Sequence, residues 1–488
     1  MALRPRDIVE LPAPFAARAA QGAAWVREQG AAGRAVTVVH HIDADGVTAG
    51  AIAAEALART GVAARMRPVK SLDQHHVDQL VAEDHQAFWF CDLGSTAYMH
   101  CPATPKLVCD HHQLVRDGAE DSFPHVNPLL DGLDGGEVSG AGCCLAVALA
   151  LDPRNVDLLP IALVGATADR QDRPLHGINA LYLAAAQKVG LVDAAVDLSF
   201  FGPETRGLVK FLTLANEPAI PGVAGDATGA QRLLRDAGVD VDAARTWGDL
   251  TEPQRRAVRT ALVTRLLDAG LAAEIPRLWR TVVRIRREPR GPTRELQEFG
   301  TLLNSTARYD RPDVGIAVAR GDRGTMLEEA LDLLDGHRKH LVGALDALAK
   351  KTVRETAALQ WVDLEDAVRD TVVGIVAGMA LGSLGLRQDK PLIAFAWTPD
   401  GRTKVSSRAP QQLKGRIDLS VAVREAAAVV AGQGGGHPGA AGATIPRGAE
   451  ARFLAALDTT LAGQLGLASP TAAPAAPRGP SRQAKLAV

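Results

Sequence analysis

Acidic and histidine side chains follow apolar runs at four places in the chain, and such side chains can bind divalent cations. The runs end in His41-Ile42-Asp43-Ala44-Asp45, in Asp92, in Asp110-His111-His112 and in Asp169. Taken singly, an Asp behind a strand is often only a helix N-cap. Three interpretations are therefore open for the third stretch: a metal site, the base of a nucleophile, or a buried hydrogen-bond cluster.

The four stretches taken together favour a metal site. Several carboxylates in one place would repel one another and raise the pKa of some, and a cation removes that conflict. Carboxylate and imidazole ligands suit Mn²⁺ or Mg²⁺. This many ligands could hold two ions about 3.5–4 Å apart, as in sites that displace phosphoryl groups. A nucleophile is less well supported, because Cys143 and Cys144 lie in an apolar helix pattern and Ser139 lacks the G-x-S-x-G turn.

The segments in front of these side chains predict an α/β fold. Short apolar runs such as "AVTVV", "AFWFC" and "KLVC" alternate with helical segments such as "VTAGAIAAEALART". This alternation is typical of a parallel, doubly wound sheet. Functional groups collect at the carboxyl edge of such a sheet, which is where the acids stand here.

Composition and pattern divide the 488 residues into four parts. We expect an N-terminal doubly wound domain at 1–195, a helical connector or insertion at 196–294, a smaller C-terminal α/β domain at 295–465 and a disordered tail at 466–488. In the C-terminal domain "VGIAVAR", "PLIAFAW" and "TKVSSRA" predict strands, and "GQGGGHPGAAGATI" predicts a glycine-rich loop.

Bulk properties indicate a cytoplasmic protein without a membrane anchor. The net charge of −2 excludes a uniformly basic nucleic-acid coat but not a local basic groove. Five cysteines without framework spacing indicate reduced thiols. The most apolar segment, residues 370–389, is short and flanked by charges, which favours a buried helix over a membrane span.

The order of the motifs resembles a known family. "HIDADG", "CDLGS", "CDHH" and "ATADR" are similar to motifs I to IV of the DHH phosphoesterase superfamily, and "GQGGGHPGAAGATI" is similar to the glycine-rich segment of its DHHA1 domain. "HVNPLLDGLDGGEVSGAG" and "LNSTARY" resemble archaeal RecJ-like proteins, including the GINS-associated nuclease. The resemblance covers roughly residues 35–175 and 295–450.

The resemblance implies a role for each side chain of the site. It implies metal ligation by five residues: Asp43, Asp45, Asp92, His111 and Asp169. Asp92 would bridge two ions, His112 would touch the scissile phosphate or assist the leaving group, and Asp110 would orient the histidines. The small oligonucleotide-phosphodiesterase branch has a ligating His where this chain has Val39. This departure favours the RecJ-like branch and leaves His41 as a candidate partner behind the ligands.

The glycine-rich segment suggests a second, phosphate-binding surface. Gly434, Gly435 and Gly436 would let backbone N–H groups approach a phosphate. His437 would add a donor, and Arg408 could pair with a phosphate through two N–H groups. The alternative is a turn beside an ordinary surface arginine.

We therefore expect a two-metal nuclease of the RecJ type, acting 5′→3′ on single-stranded DNA in replication or repair. RNA as substrate and the opposite polarity stay open. One alternative is a phosphodiesterase for oligoribonucleotides or cyclic dinucleotides. The other is a replisome scaffold that binds GINS, because the eukaryotic relative in the replicative helicase has lost its metal motifs. All four motifs keep their acids here, so scaffolding would be an added role.

Overall fold

The computed structural model describes residues 9–72, 74–83, 86–95, 104–114, 122–242 and 244–467, without the side chains at positions 74, 75, 338 and 383. Two compact units divide the chain, one up to Leu334 and one from Asp335. The predicted tail lies outside the described residues from position 468 on. The four predicted domain ranges stay a prediction. No helix within the described ranges has both the length and the hydropathy to cross a membrane.

A parallel sheet forms the centre of the first unit. Its five strands among the described residues have the order β2-β1-β3-β4-β5, and every neighbouring pair is parallel. The strands are β1 Val36–His41, β2 Ala64–Val69, β3 Ala87–Cys91, β4 Lys106–Cys109 and β5 His125–Val126. The central strands β1, β3 and β4 are buried almost throughout, as expected for a parallel sheet with both faces covered.

Helices cover both faces of this sheet, which confirms the predicted α/β class. The helices that accompany it are α1 Ala13–Ala31, α2 Ala44–Arg59, α3 Gln74–Ala82, α4 Gly140–Leu151, α5 Leu159–Ala168 and α6 Gly177–Lys188. Val77 and Leu80 of α3 are buried, and Leu80 packs on one face with Phe88 and Phe90. On the other face α2, α4 and α5 pack closely against one another. These three helices are rich in Ala and Gly, so their axes can approach closely.

The segment after α6 builds a smaller core of its own within the first unit. Strands β6 Val192–Leu198 and β7 Trp279–Ile285 pair antiparallel. Between them lie the helices α7 Leu208–Thr213, α8 Ala227–Asp236 and α9 Glu252–Asp268. Phe211, Leu234 and Trp247 are buried in this core. The connector predicted at 196–294 thus contains helices, and it also contains strand β7, which the sequence pattern does not predict.

One predicted strand of the C-terminal part is wrong. "VGIAVAR" belongs to helix α11 Pro312–Ala319, which lies between α10 Leu296–Arg308 and α12 Thr325–Lys350. Pro312 occupies the first turn, where its missing N–H costs nothing. The segment is buried on most sides, and a short, wholly apolar run does not separate helix from strand by its period.

The second unit contains a mixed sheet. The six strands that the described residues contribute have the order β12-β13-β11-β10-β9-β8, with only β9 and β10 parallel. The elements are β8 Arg354–Glu355, β9 Gln360–Asp363, α13 Val373–Ser383, β10 Leu392–Trp397, β11 Arg402–Arg408, α14 Leu419–Val429, β12 Gln433–His437, β13 Ala440–Pro446 and α15 Glu450–Leu465. The predicted glycine-rich loop is therefore a β-hairpin.

Candidate metal centre

Three of the four acidic stretches lie at the same edge of the parallel sheet. His41 ends β1, Asp92 follows β3, and Asp110 follows β4. These strands are neighbours, with His40 beside Cys91 and Cys91 beside Cys109 in register. The fourth acid, Asp169, comes from the other direction, because it is the C-cap of α5. The predicted site residues of the first unit are thus brought together.

Asp92 occupies the middle of the cluster. Its φ of 61° lies in the left-handed region, where Asp and Asn are tolerated better than most side chains. It is 2% exposed, and its Oδ1 has no hydrogen-bond partner among the described residues. A Cβ on Gly140 would lie 2.6 Å from this Oδ1, so the glycine is what lets α4 begin here.

Two groups of three side chains share Asp92. The ligand atoms of His41, Asp43 and Asp92 lie within 4.8 Å of one another, and so do those of Asp92, His111 and His112. Asp92 Oδ2 is 3.4 Å from His41 Nδ1, and Asp92 Oδ1 is 3.4 Å from His111 Nε2. The two oxygens of one carboxylate thus face two different histidines, which is the arrangement a bridging ligand needs.

Asp45 is buried behind this pair, at the N-terminus of α4. Its carboxylate accepts hydrogen bonds from Gly140 N at 2.7 Å and from Ala141 N at 3.0 Å. Free N–H groups at a helix N-terminus stabilise an anion. Burial and the nearby Asp92 carboxylate nevertheless raise the pKa of Asp45. Asp45 is therefore held in place, while its ionised form still lacks a compensating positive charge.

His111 points its Nε2 at three carboxylates. Its Nδ1 lies 2.9 Å from the Gly135 carbonyl oxygen, so Nδ1 carries a proton that it donates there. Nε2 is 3.4 Å from Asp92, 3.6 Å from Asp169 and 3.8 Å from Asp45. Burial opposes a charge on the ring, but these carboxylates raise the pKa of His111 well above its usual value. The charged ring carries a second proton, on Nε2, between these carboxylates. A cation bound at Nε2 would replace this second proton and satisfy the same oxygens.

Asp110 and His112 form a pair beside the ligands. Asp110 is buried and accepts hydrogen bonds from Ser95 N at 2.9 Å, from His111 N at 2.8 Å and from His112 Nδ1 at 2.8 Å. The Asp110 carboxylate raises the pKa of His112 to about 9. The His112 side chain is about half exposed, and its Nδ1 is taken, so Nε2 is the atom left to meet a substrate.

His41 lies among the acids rather than behind them. Its Nδ1 is 3.0 Å from Asp43 Oδ2, and it has no hydrogen bond of good geometry among the described residues. Asp43 also caps α2, since its Oδ1 accepts from Gly46 N at 3.0 Å. The N-cap interpretation of Asp43 and the ligand interpretation are therefore compatible, and His41 becomes a candidate ligand.

The cluster fits divalent cations on chemical grounds. It combines acids whose pKa is raised, Asp45 and Asp169, with buried polar atoms that lack a hydrogen-bond partner in the described part of the chain, Asp92 Oδ1 and His41 Nδ1. A hard cation with oxygen and imidazole ligands would satisfy these atoms. Sequence reasoning missed Asn304, whose Oδ1 accepts from Ala44 N at 3.0 Å, although "LNSTARY" marked its segment.

The second predicted surface lies on the hairpin β12–β13. Arg408 pairs with Ala440, which pairs with His437, so all three share one face of the sheet. A Cβ on Gly435 would meet nothing within 4 Å. Gly434 instead faces α14, where a Cβ would lie 2.9 Å from the Val423 carbonyl oxygen.

Gly436 also has a structural reason to lack a side chain. Its φ is 139°, and a Cβ would lie 2.7 Å from the Ala440 carbonyl oxygen. Gly434 and Gly436 are thus required for packing and backbone conformation, and phosphate contact by Arg408, Gly434, Gly435, Gly436 and His437 stays a prediction.

Comparisons with known proteins support the resemblance. The family model described as the DHHA1 domain matches residues 344–463, and the model described as the DHH-CID domain matches residues 200–278. An uncharacterized protein of Methanocaldococcus jannaschii is 25% identical over 439 residues, which are 88% of this chain and 94% of that protein.

Two solved structures show the fold. RecJ from Thermus thermophilus in complex with Mn²⁺ matches with a TM-score of 0.56 and 18% identity over 93% of this chain and 55% of that chain. This chain thus spans about half the length of that RecJ. CDC45 from Entamoeba histolytica matches with a TM-score of 0.60 and 11% identity over 89% of this chain and 97% of that chain. Residues 200–278 thus match the DHH-CID domain and residues 344–463 match the DHHA1 domain, in a chain whose fold is similar to that of RecJ.

Proposed function

We propose that this protein is a metal-dependent exonuclease that hydrolyses phosphodiester bonds of single-stranded nucleic acid, with 5′→3′ action on DNA as the favoured form. Two divalent cations, Mn²⁺ or Mg²⁺, are the cofactors of the proposal. The observation that carries it is Asp92, whose two oxygens face His41 and His111 and which belongs to both ligand groups. The RecJ-like fold over 93% of the chain supports the nuclease class.

The side chains of the centre divide the work. Bound divalent cations would lower the pKa of an attacking water and stabilise charge on the attacking and leaving oxygens. The ligand set of the proposal is Asp43, Asp45, Asp92, His111 and Asp169, with His41 added because of its position. These residues would fix the positions of the cations. The cation positions would in turn determine where the phosphate oxygens bind.

His112 would contact the substrate directly. Asp110 holds its Nδ1 at 2.8 Å and keeps the ring protonated at neutral pH. The Nε2–H of this half-exposed ring can donate to a phosphate oxygen or to the leaving oxygen. A donor fixed in advance and positively charged is worth most where charge develops during the reaction.

The hairpin face of the second unit would bind the strand by its phosphates. Arg408 Nη1 donates to the Ser407 carbonyl oxygen at 2.9 Å, and a guanidinium placed in this way can also bind a phosphate. A Cβ at Gly435 would meet nothing within 4 Å, so a phosphate can approach the backbone there. His437 is exposed on the same face. Contacts to phosphates carry no base sequence, which is consistent with a nuclease of low sequence specificity.

A scaffold role is the second candidate, favoured by the similarity of the fold to CDC45 from Entamoeba histolytica. GINS is the partner to test, in a pull-down with purified components. Binding of GINS by a chain that also cleaves would make the scaffold an added role in replication or repair. Binding by a chain without activity would replace the nuclease proposal.

The test is cleavage of a single strand labelled at either end, with Mn²⁺ or Mg²⁺, by the wild type and by Asp92→Asn. Asn tolerates the left-handed backbone, so the variant should fold. Asp310→Asn is the matched control, since Asp310 also has a positive φ, of 56°, but it pairs with Lys70 and belongs to neither ligand group.

We expect products that shorten from the 5′ end. Asp92→Asn should form them about a hundred- to a thousandfold more slowly, the range found for single electrostatic groups in active sites, and Asp310→Asn at the wild-type rate. Unchanged cleavage by Asp92→Asn would contradict the proposal. Faster turnover of a dinucleotide than of the long strand would instead identify a small-substrate phosphodiesterase. An RNA strand of the same sequence, assayed in parallel, tests whether the substrate is DNA or RNA.

A further inference from the structure

A tight closure ends helix α5 directly behind Asp169. Arg170 takes a φ of 61°, its N–H donates to Thr167 O at 3.1 Å, and Gln171 N–H donates to Ala166 O at 2.9 Å. These two bonds are the standard way of satisfying the last carbonyls of a helix. The chain turns back at this point, so the Gln171 side chain returns beside Asp169, where it is 8% exposed.

The Gln171 amide connects two of the candidate ligands. Its Nε2 donates to Asp169 Oδ2 at 3.0 Å and to the Gly135 carbonyl oxygen at 3.2 Å. The same carbonyl accepts from His111 Nδ1 at 2.9 Å. The 3.3 Å between Gln171 Nε2 and His111 Nδ1 is therefore a contact between two donors that share one acceptor.

Asn179 fixes the direction of this amide. Gln171 Oε1 accepts from Asn179 Nδ2 at 2.7 Å. A rotation of the Gln171 amide by half a turn would place its oxygen against two acceptors and its nitrogen against a donor. Such a buried mismatch is costly, so a single orientation is available. Asn179 is itself 1% exposed, and its backbone N–H donates to Glu137 O at 2.8 Å.

We infer that Gln171, held by Asn179, is a positioning residue of the metal centre. It fixes one oxygen of the partly exposed Asp169, and it helps hold the Gly135 carbonyl that keeps the proton of His111 on Nδ1. The Nε2 of His111 then stays free to face the acids. Partners of this kind orient metal ligands although they bind no metal themselves. The inference rests on the metal-dependent function proposed above.

The test is the binding of Mn²⁺ to Gln171→Met, measured by isothermal titration calorimetry on the full chain. Met has nearly the length of Gln but neither donor nor acceptor. We expect one Mn²⁺ dissociation constant to rise 10- to 100-fold, the range found when the partners of metal ligands are removed. Asn179 is not one of the ligands, but Asn179→Leu should raise the same dissociation constant. The double variant should bind Mn²⁺ no more weakly than Gln171→Met alone.

Gln360→Met is the matched control. Gln360 is 1% exposed, and its Nε2 also donates to two carbonyl oxygens, of Arg387 at 2.7 Å and Lys390 at 3.0 Å. This variant should lose stability and keep both Mn²⁺ constants. Constants within twofold of the wild type in Gln171→Met and Asn179→Leu would overturn the inference, as would an equal rise in Gln360→Met. If Gln171→Met does not fold, the result for Asn179→Leu decides.

The two proposals fail separately. A wild type that binds Mn²⁺ but cleaves no nucleic acid would remove the nuclease proposal and leave the positioning role intact. A wild type that cleaves while Gln171→Met keeps its Mn²⁺ constants would remove only the positioning role. A wild type that binds no Mn²⁺ would remove both.

Discussion

Replacing Gly165 with Ala should displace the Asp45 carboxylate and so disturb the metal centre. Gly165 lies in α5, and a Cβ there would lie 2.4 Å from Asp45 Oδ1 and 2.6 Å from Thr48 Oγ1. Ordinary contact begins near 3.4 Å, so the Asp45 carboxylate would have to retreat by about 1 Å. It cannot do so and keep both hydrogen bonds that it accepts from Gly140 N and Ala141 N at the N-terminus of α4.

The size of the effect follows from these contacts. Overpacking costs about 1–3 kcal/mol, and each weakened hydrogen bond to a charged group costs up to about 1.5–3 kcal/mol. We expect Gly165→Ala to lower the free energy of unfolding by about 2–4 kcal/mol in urea titrations with EDTA. A reacting group displaced by 1 Å can cost about a hundredfold in rate, so hydrolysis should fall by about that factor.

A matched glycine controls for the substitution itself. Gly336 lies within α12, and a Cβ there would meet no atom within 4 Å. Gly336→Ala should therefore stabilise its helix by about 0.5–1 kcal/mol and leave hydrolysis unchanged. A Gly165→Ala variant with wild-type stability and a rate within twofold of wild type would show that Asp45 is not held as tightly as these distances indicate.

Three further predictions follow. Burial raises the pKa of Glu298 to about 7 from 4.5, so the folded state binds the extra proton and stability should fall as pH rises from about 4.5 to 7, by about 3 kcal/mol at 1.36 kcal/mol per pH unit. Glu298→Gln should flatten this slope in urea titrations at pH 5 and 7.5, and an unchanged slope would refute the assignment. Asp110→Asn should lower the pKa of His112, measured by NMR titration, because the Asp110 charge is the largest cause of its raised pKa. An unchanged pKa of His112 would contradict this role of Asp110. Gly435→Ala should weaken binding of a single strand without loss of stability. Gly434→Ala should lower the free energy of unfolding by about 1–3 kcal/mol through its clash with α14. Similar stability losses in both variants would contradict the assignment of the two glycines to opposite faces of the sheet.

The meeting of Asp43, Asp92 and Asp110 could be predicted because the rule behind it is simple. Parallel strands bring their carboxyl ends to one edge, so acids behind neighbouring strands must lie together. The position of Asp169 could not be predicted in the same way, because its apolar run is a helix that arrives from another direction. The apolar run before Asp169 and the order of the motifs predict its membership in the site, but not the helix that carries it.

Other features needed the tertiary structure. The strand predicted at "VGIAVAR" is helix α11, since burial on most sides removes the periodicity that separates the two. The glycine-rich segment predicts a loop but forms the hairpin β12–β13, because glycine is rare inside strands unless a neighbour comes close, as α14 does at Gly434. Gln171 and Asn179 carry no signal of their own in the sequence.

The most direct test of the account is the number of Mn²⁺ ions that each chain binds. Equilibrium dialysis with electron paramagnetic resonance counts the ions and shows whether they are coupled. Because Asp92 belongs to both ligand groups, we predict two coupled Mn²⁺ ions per wild-type chain and at most one, uncoupled, in Asp92→Asn. A wild type that binds a single ion or none, or an Asp92→Asn variant that still binds a coupled pair, would contradict it.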